Sequence, residues 1–202
     1  MDDSLHKPIR YALTVEYDGS QFNGWQVQTG VPTVQEALEA ALSQVANHSV
    51  RVTGAGRTDT GVHATGQVAH FESSSSRSLR SWLKGANTLL PRGAAILSVL
   101  PVESSFHSRF SATGRAYRYV IFNRSVAPTF LRSRVTWEYR PMDVFRMREA
   151  ASLLVGRHDF NAYRAVACQS ESSIRELRQL RVSTSGQWIW VDAEAESFLQ
   201  HM

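Results

Sequence analysis

Along "YALTVEYDG", Leu13, Val15 and Tyr17 alternate with Thr14, Glu16 and Asp18. That period of two places one face of a β-strand in a core. The polar, glycine-punctuated stretch "GSQFNGWQVQTG" follows and reads as a loop, with Phe22 and Trp25 looking exposed within it. Thr33 and Glu36 then form a capping box, and Val34, Ala37, Leu38, Ala41, Leu42 and Val45 recur on one helical face. "VRVTGAG" and "QVAHFE" read as two strands. A second helix runs through "LRSWLKGANTLL" with Leu79, Trp82, Leu83, Ala86 and Leu90 inward, is stopped by Pro91, and is followed by a strand at "AAILSVLPV". The first half therefore spells βαββαβ.

The second half begins a similar count. "RAYRYVIFN" is a strand, "DVFRMREAASLLVG" a helix ended by Gly156, and "LRQLRVSTSGQWIWVDAEA" two strands joined by a turn at "TSGQ". Alternation puts Arg115, Tyr117, Tyr119 and Ile121 on one face of their strand, with core packing expected for Tyr119. Two βαββαβ halves sharing one mostly antiparallel sheet are the expected α+β architecture, divided at 1–104 and 105–202. Ser197 and Gln200 make a further capping box, so a helix is expected to open at 197. It has room for one turn before Met202, and a helix that short is not stable alone. The pattern reads as a fragment of a longer chain.

Composition changes the picture only in part. With 202 residues, 43% hydrophobic and 20% charged, the chain can bury a real core. No apolar run approaches the roughly 20 residues of a bilayer span, and the start "MDDSLHKPIR" is unlike a signal peptide, so a cytoplasmic protein off the membrane is expected. The one cysteine, Cys168, excludes an internal disulfide and leaves no Cys cluster for structural zinc. The net charge of +4 is uneven: from Phe106 to Arg134 there are six arginines and no acid. Arginine's planar fork binds phosphate bidentately and stacks on bases, which favours a nucleic-acid partner. A solvated basic face gives the same composition.

The candidate chemistry lies in "GAGRTDTGVHATGQ", residues 54–67, where Asp59 sits among four glycines, an arginine and a histidine. Asp59, Thr60 and Gly61 spell the D-T-G triplet of aspartic proteases, whose mechanism needs two facing carboxylates. Only one copy is present, and Arg57 favours the ionised form over a shared proton. A phosphorylated aspartate of the ATPase kind lacks its following lysine. A turn-capping aspartate and a non-catalytic RNA-binding module also fit the local pattern.

The stretch "GAGRTDTGVHATGQV" resembles the signature of the TruA-type tRNA pseudouridine synthases. The resemblance continues in order through "YDGSQFNGWQ", "TVQEALEAAL", "FHSRFSATGRAYRY", "GRHDFNAY" and "SFLQHM". It implies the pseudouridine synthase fold, two RRM-like halves around a central RNA-binding cleft. It implies an isomerase that breaks the glycosidic bond of a uridine in the anticodon arm of tRNA, around tRNA positions 38–40. The uracil is then rejoined through C5, with base flipping and with no metal or organic cofactor.

The same resemblance makes Asp59 the catalytic nucleophile and Tyr117 the ring that stacks on the target base. Arg57 stands near the flipped-out nucleotide, and Phe106, His107 and Arg109 line the RNA cleft. Arg115 joins them on the strand of Tyr117, and His63 is a weaker candidate because a histidine after a Gly-Val turn can simply satisfy backbone. Family members are homodimers and carry a basic residue just past the position of Met202.

Overall fold

In the computed structural model, which describes residues 7–166, 168 and 170–202, the alternating segment near the start becomes β1 (Ile9–Tyr17). Its inward residues Leu13 and Val15 are 1% and 0% exposed. Three more strands join it: β2 (Val52–Gly54), β3 (Ala64–Ser73) and β4 (Ala94–Val102). Their order is β2-β3-β1-β4, with every neighbouring pair antiparallel. The two crossovers are helical, α1 (Val34–Ala46) and α2 (Leu79–Leu89). That is the βαββαβ order read from the sequence, a split βαβ arrangement.

Both helices begin where side chains cap them. The Thr33 hydroxyl accepts the Glu36 amide, and the Ser78 hydroxyl accepts the Ser81 amide. Trp82 of α2 is fully buried against Phe71 and Tyr11, with ring centroids 5.0 and 5.6 Å away. Burying a side chain of that kind contributes roughly 1.5–3 kcal/mol. Leu79, expected inward, is 40% exposed because it occupies the first helical position, ahead of the packed turn. Asn87 of α2 donates to the Ile96 carbonyl and accepts from the Ile96 amide, occupying both groups on edge strand β4.

The chain divides into two units, Met1–Ala112 and Thr113–Met202. The second holds β5 (Arg115–Asn123), β6 (Thr136–Glu138), α3 (Val144–Leu154), β7 (Gly156–Asp159), β8 (Ile174–Ser185) and β9 (Trp188–Ala195). The strand order is β6-β5-β9-β8-β7, with only β5 and β6 parallel. β8 and β9 form a hairpin through Gly186 and Gln187, where Gly186 takes a φ of +57°. A glycine first in a two-residue loop fits the type II′ turn favoured by twisted hairpins. α3 packs on this sheet through Ala151 and Met147, over Ile121, Val182 and Ile189.

The α+β class stands, and three details differ from the sequence reading. The described strands form two sheets, one in each unit, where one shared sheet was expected. The second unit runs ββαβββ, because β6 and β7, at three and four residues, are too short for alternation to show. The helix expected at 197 is absent: residues 197–202 hold a single turn, Met202 amide to Leu199 carbonyl, and His201 takes a left-handed φ of +68°. The polar start at residues 1–6 lies outside the described residues. No described helix is long and apolar enough to cross a membrane.

Candidate active site

β2 pairs with β3 through Val52, Thr53 and Gly54, and the chain then leaves the ladder, carrying Asp59 before it re-enters at Ala64. The excursion is held at several points. The Ala55 amide donates to the Val68 carbonyl, and Gln67 Nε2 to the Gly56 carbonyl. The Thr58 carbonyl accepts the Trp25 amide at 3.0 Å, and the Thr58 hydroxyl meets the Tyr17 hydroxyl at 2.8 Å. Past Asp59 the chain reverses in a turn closed by the Val62 amide on the Asp59 carbonyl, with Gly61 at φ +83°. That left-handed third position is what glycine supplies in a type II turn.

The loop rests on residues 18–25, which include the two aromatics expected to be exposed. Phe22 and Trp25 are in fact buried, at 5% and 3% exposure. Trp25 lies so close under Gly54 that a Cβ there would stand 2.6 Å from its ring. Gly19 and Gly24 allow the same closeness elsewhere: their Cβ atoms would be 2.1 Å from the Val62 carbonyl oxygen and 2.7 Å from that of Thr58. The Gly24 and Trp25 carbonyls in turn accept the first amides of α1, those of Val34 and Gln35. Glycine punctuation thus marks backbone packed on backbone.

On this fixed frame the Asp59 and Arg57 residues are exposed. Among the described residues no hydrogen bond or ion pair engages the Asp59 carboxylate or the Arg57 guanidinium. His63 is half-buried, with Nδ1 3.1 Å from Asp18 Oδ1 and 3.2 Å from the Gly19 amide. By accepting the Gly19 amide the ring ties the loop to the 3-10 turn at Gly19–Gln21, which the Asp18 carboxylate caps.

Phe106 and Arg109 lie on a segment anchored to the same unit. Arg10 donates to the Ser104 and Phe106 carbonyls at 2.5 and 2.6 Å while pairing with Glu72. Ser108 is buried; its hydroxyl is 2.8 Å from the Thr53 carbonyl and 2.8 Å from His70 Nδ1. The segment is therefore fastened to Thr53, at the root of the aspartate loop. Burial holds the His70 pKa below the ordinary imidazole value, with His107 and Arg10 acting in the same direction. Phe106 is half-buried edge-on to His70, and Arg109 is exposed.

The remaining candidates are on β5 of the second unit. Tyr117 is 40% exposed and meets Phe198 edge-on at 5.0 Å. Arg115 donates to the Glu196 carbonyl at 2.6 Å. Tyr119, expected in the core, is 55% exposed and accepts a hydrogen bond from Thr136, because the core begins only at Ile121. Arg118, on the alternate face, forms a fork on Asp192 at 2.6 and 3.1 Å. The structure thus brings Arg57, Asp59 and His63 onto one loop, with Phe106 and Arg109 on a segment fastened at its root. Arg115 and Tyr117 share one strand of the other unit.

The supporting residues Tyr17, Asp18, Arg10, His70 and Ser108 escaped the sequence reading. Tyr17 and His70 counted as strand positions, and the pairings that matter span 38 to 96 residues. Asp18 and Ser20 flanking a glycine were the one local signal of a cap.

A family profile described as tRNA pseudouridine synthase matches residues 13–111 and 150–202. A tRNA pseudouridine synthase A of Alcanivorax borkumensis is 56% identical over 194 residues, 96% of this chain and 73% of the relative. Proteins of the same name are 50% identical in Nitrosococcus oceani, over 96% of this chain and 75% of the relative, and 49% identical in Cronobacter sakazakii, over 100% and 75%. With both units matched by the profile and about half of all positions shared with these relatives, the chain belongs to the tRNA pseudouridine synthase family, whose members are isomerases.

Proposed function

We propose that this protein isomerises uridine to pseudouridine in the anticodon arm of tRNA, with Asp59 as nucleophile on a flipped-out base. The observation that carries the reading is the setting of Asp59: an exposed carboxylate between backbone groups fixed at Thr58 and Val62. A nucleophile must be reachable and ionised, and its loop must not wander. The reaction breaks the N1–C1′ bond and forms C5–C1′; the C5 proton passes to solvent and N1 gains one. The carboxylate adds to uracil C6, or to ribose C1′ as the N1–C1′ bond breaks; in either route that adduct is expelled once C5–C1′ has formed, and the freed carboxylate accepts the proton from C5.

Extrusion of the base costs a few kcal/mol, offset by stacking and backbone contacts. Tyr117 offers a part-exposed ring for stacking, and Arg57, Arg109 and Arg115 offer guanidinium groups for phosphate. Phe106 and His63 act through position, each packed or bonded against the frame. No step requires a metal or organic cofactor. A cytoplasmic homodimer is the assembly we infer from the resemblance.

The test is tritium release from tRNA carrying 5-tritiated uridine, because only C5 chemistry liberates that label. Release is expected from native tRNA and is expected to vanish when the uridines of the anticodon arm are replaced by cytidine. No release from native tRNA contradicts the reading.

A further inference from the structure

Phe110 is 77% exposed in a segment otherwise tied down. Arg10 holds the Ser104 and Phe106 carbonyls, Ser108 is fastened to Thr53, and the Ser111 amide closes onto the His107 carbonyl. The ring itself is braced. His107 stacks on it with centroids 4.2 Å apart and planes at 26°. The amides of Arg109 and Phe110 both donate to His107 Nδ1, at 3.3 Å each, which fixes that imidazole as the support. The Arg109 guanidinium lies 5.7 Å from the Phe110 centroid.

An exposed phenyl ring forgoes the stabilisation that burying it would give. Here it is kept in solvent by ordered backbone, beside a guanidinium, at the head of a stretch with six arginines and no acid. A protein partner would be met by a contiguous apolar patch, whereas the neighbours here are His107, Arg109 and Ser111. Ring plus cation is the pair that recognises nucleic acid: the π-face takes a base of any identity and the guanidinium takes the adjoining phosphate. We propose that Phe110, braced by His107, is a stacking platform for an unpaired nucleobase of the substrate RNA. The proposal rests on the RNA-modifying reading above and adds to it a binding subsite. No carboxylate stands in the segment, so the platform holds a base and does no chemistry on it.

The experiment compares Phe110→Ala and Phe110→Trp with the unaltered protein, measuring tRNA affinity across a salt series and steady-state tritium release. Phe110→Ala should weaken binding by roughly tenfold, by loss of one base stack. KM should rise in parallel with kcat within about twofold, the mark of a contact made equally in ground and transition states. The slope of log affinity against log salt should not change, since no phosphate contact is removed. Phe110→Trp should restore binding. Unchanged affinity in the alanine variant overturns the proposal, as does a tryptophan variant as weak as alanine. A sedimentation change in the alanine variant would assign the ring to a protein interface and overturns it too. Absence of tritium release from the unaltered protein would fail the isomerase reading alone, leaving the affinity comparison intact.

Discussion

The Tyr17 hydroxyl lies 2.8 Å from the Thr58 hydroxyl, joining the end of β1 to the residue before Asp59. Tyr17 is 4% exposed and packs near Trp25. Tyr17→Phe keeps that packing and removes the hydroxyl. A stability loss of about 1 kcal/mol is expected, the usual net worth of one hydrogen bond. Urea unfolding measures it. Turnover should fall severalfold through kcat, since the carboxylate loses one constraint on its position; unaltered kcat would free Thr58 from any positioning role.

Gly19 and Gly66 separate the two uses of glycine in this region. A Cβ at Gly19 meets the Val62 carbonyl at 2.1 Å, whereas one at Gly66 meets nothing within 4 Å. Gly19→Ala should cost roughly 3 kcal/mol, at the upper end of overpacking penalties. Gly66→Ala should be neutral or stabilising by about 0.5 kcal/mol, through a less flexible unfolded chain. Thermal unfolding of the two variants checks the order, and equal losses would contradict it.

The sequence displayed the first unit almost entirely, because its signals are local. Alternation in β1, the Thr33 cap of α1 and the Trp82 face of α2 each show within about a dozen residues. The second unit showed less: β6 and β7 are shorter than the period needs, and the Ser197 capping pattern was overridden. Leu199 is buried in a side cluster and the Gln200 carbonyl accepts the Ala165 amide, contacts that hold the end in a turn. The burial of Phe22 and Trp25 has no local signal, because a polar loop resembles a solvated one and the packing of Trp25 under Gly54 depends on a partner roughly thirty residues away. The aspartate loop stood out as a motif; its fastenings did not.

His70 should make stability depend on pH. Its pKa in the folded chain is lowered, so between that value and the unfolded value of about 6.5 the unfolded state binds the proton first. The stabilisation is full above about pH 6.5 and is lost as pH falls toward the folded pKa. Glu72 opposes the shift, while His107 and Arg10 support it. His70→Gln should flatten the pH dependence of the unfolding free energy in this window. An unchanged slope would place the dependence elsewhere.

The Arg118 guanidinium already has an acidic partner. Arg118 has both ends of its fork on Asp192, and its pKa is raised by that bond. Arg109→Ala should reduce the salt slope of tRNA binding by about one, and Arg118→Ala should leave it unchanged. A fall of about one for Arg118→Ala would show that the ion pair with Asp192 gives way to phosphate.

The central claim is that the exposed carboxylate of Asp59 performs the isomerisation. Asp59→Asn keeps the size of the side chain and leaves the backbone bonds at Thr58, Asp59 and Val62 in place, while removing the charge. Tritium release from 5-tritiated uridine in tRNA should fall below detection in this variant, with tRNA affinity within about threefold of the unaltered protein, since no phosphate or stacking contact is lost. Tritium release at a rate near that of the unaltered protein would contradict the account.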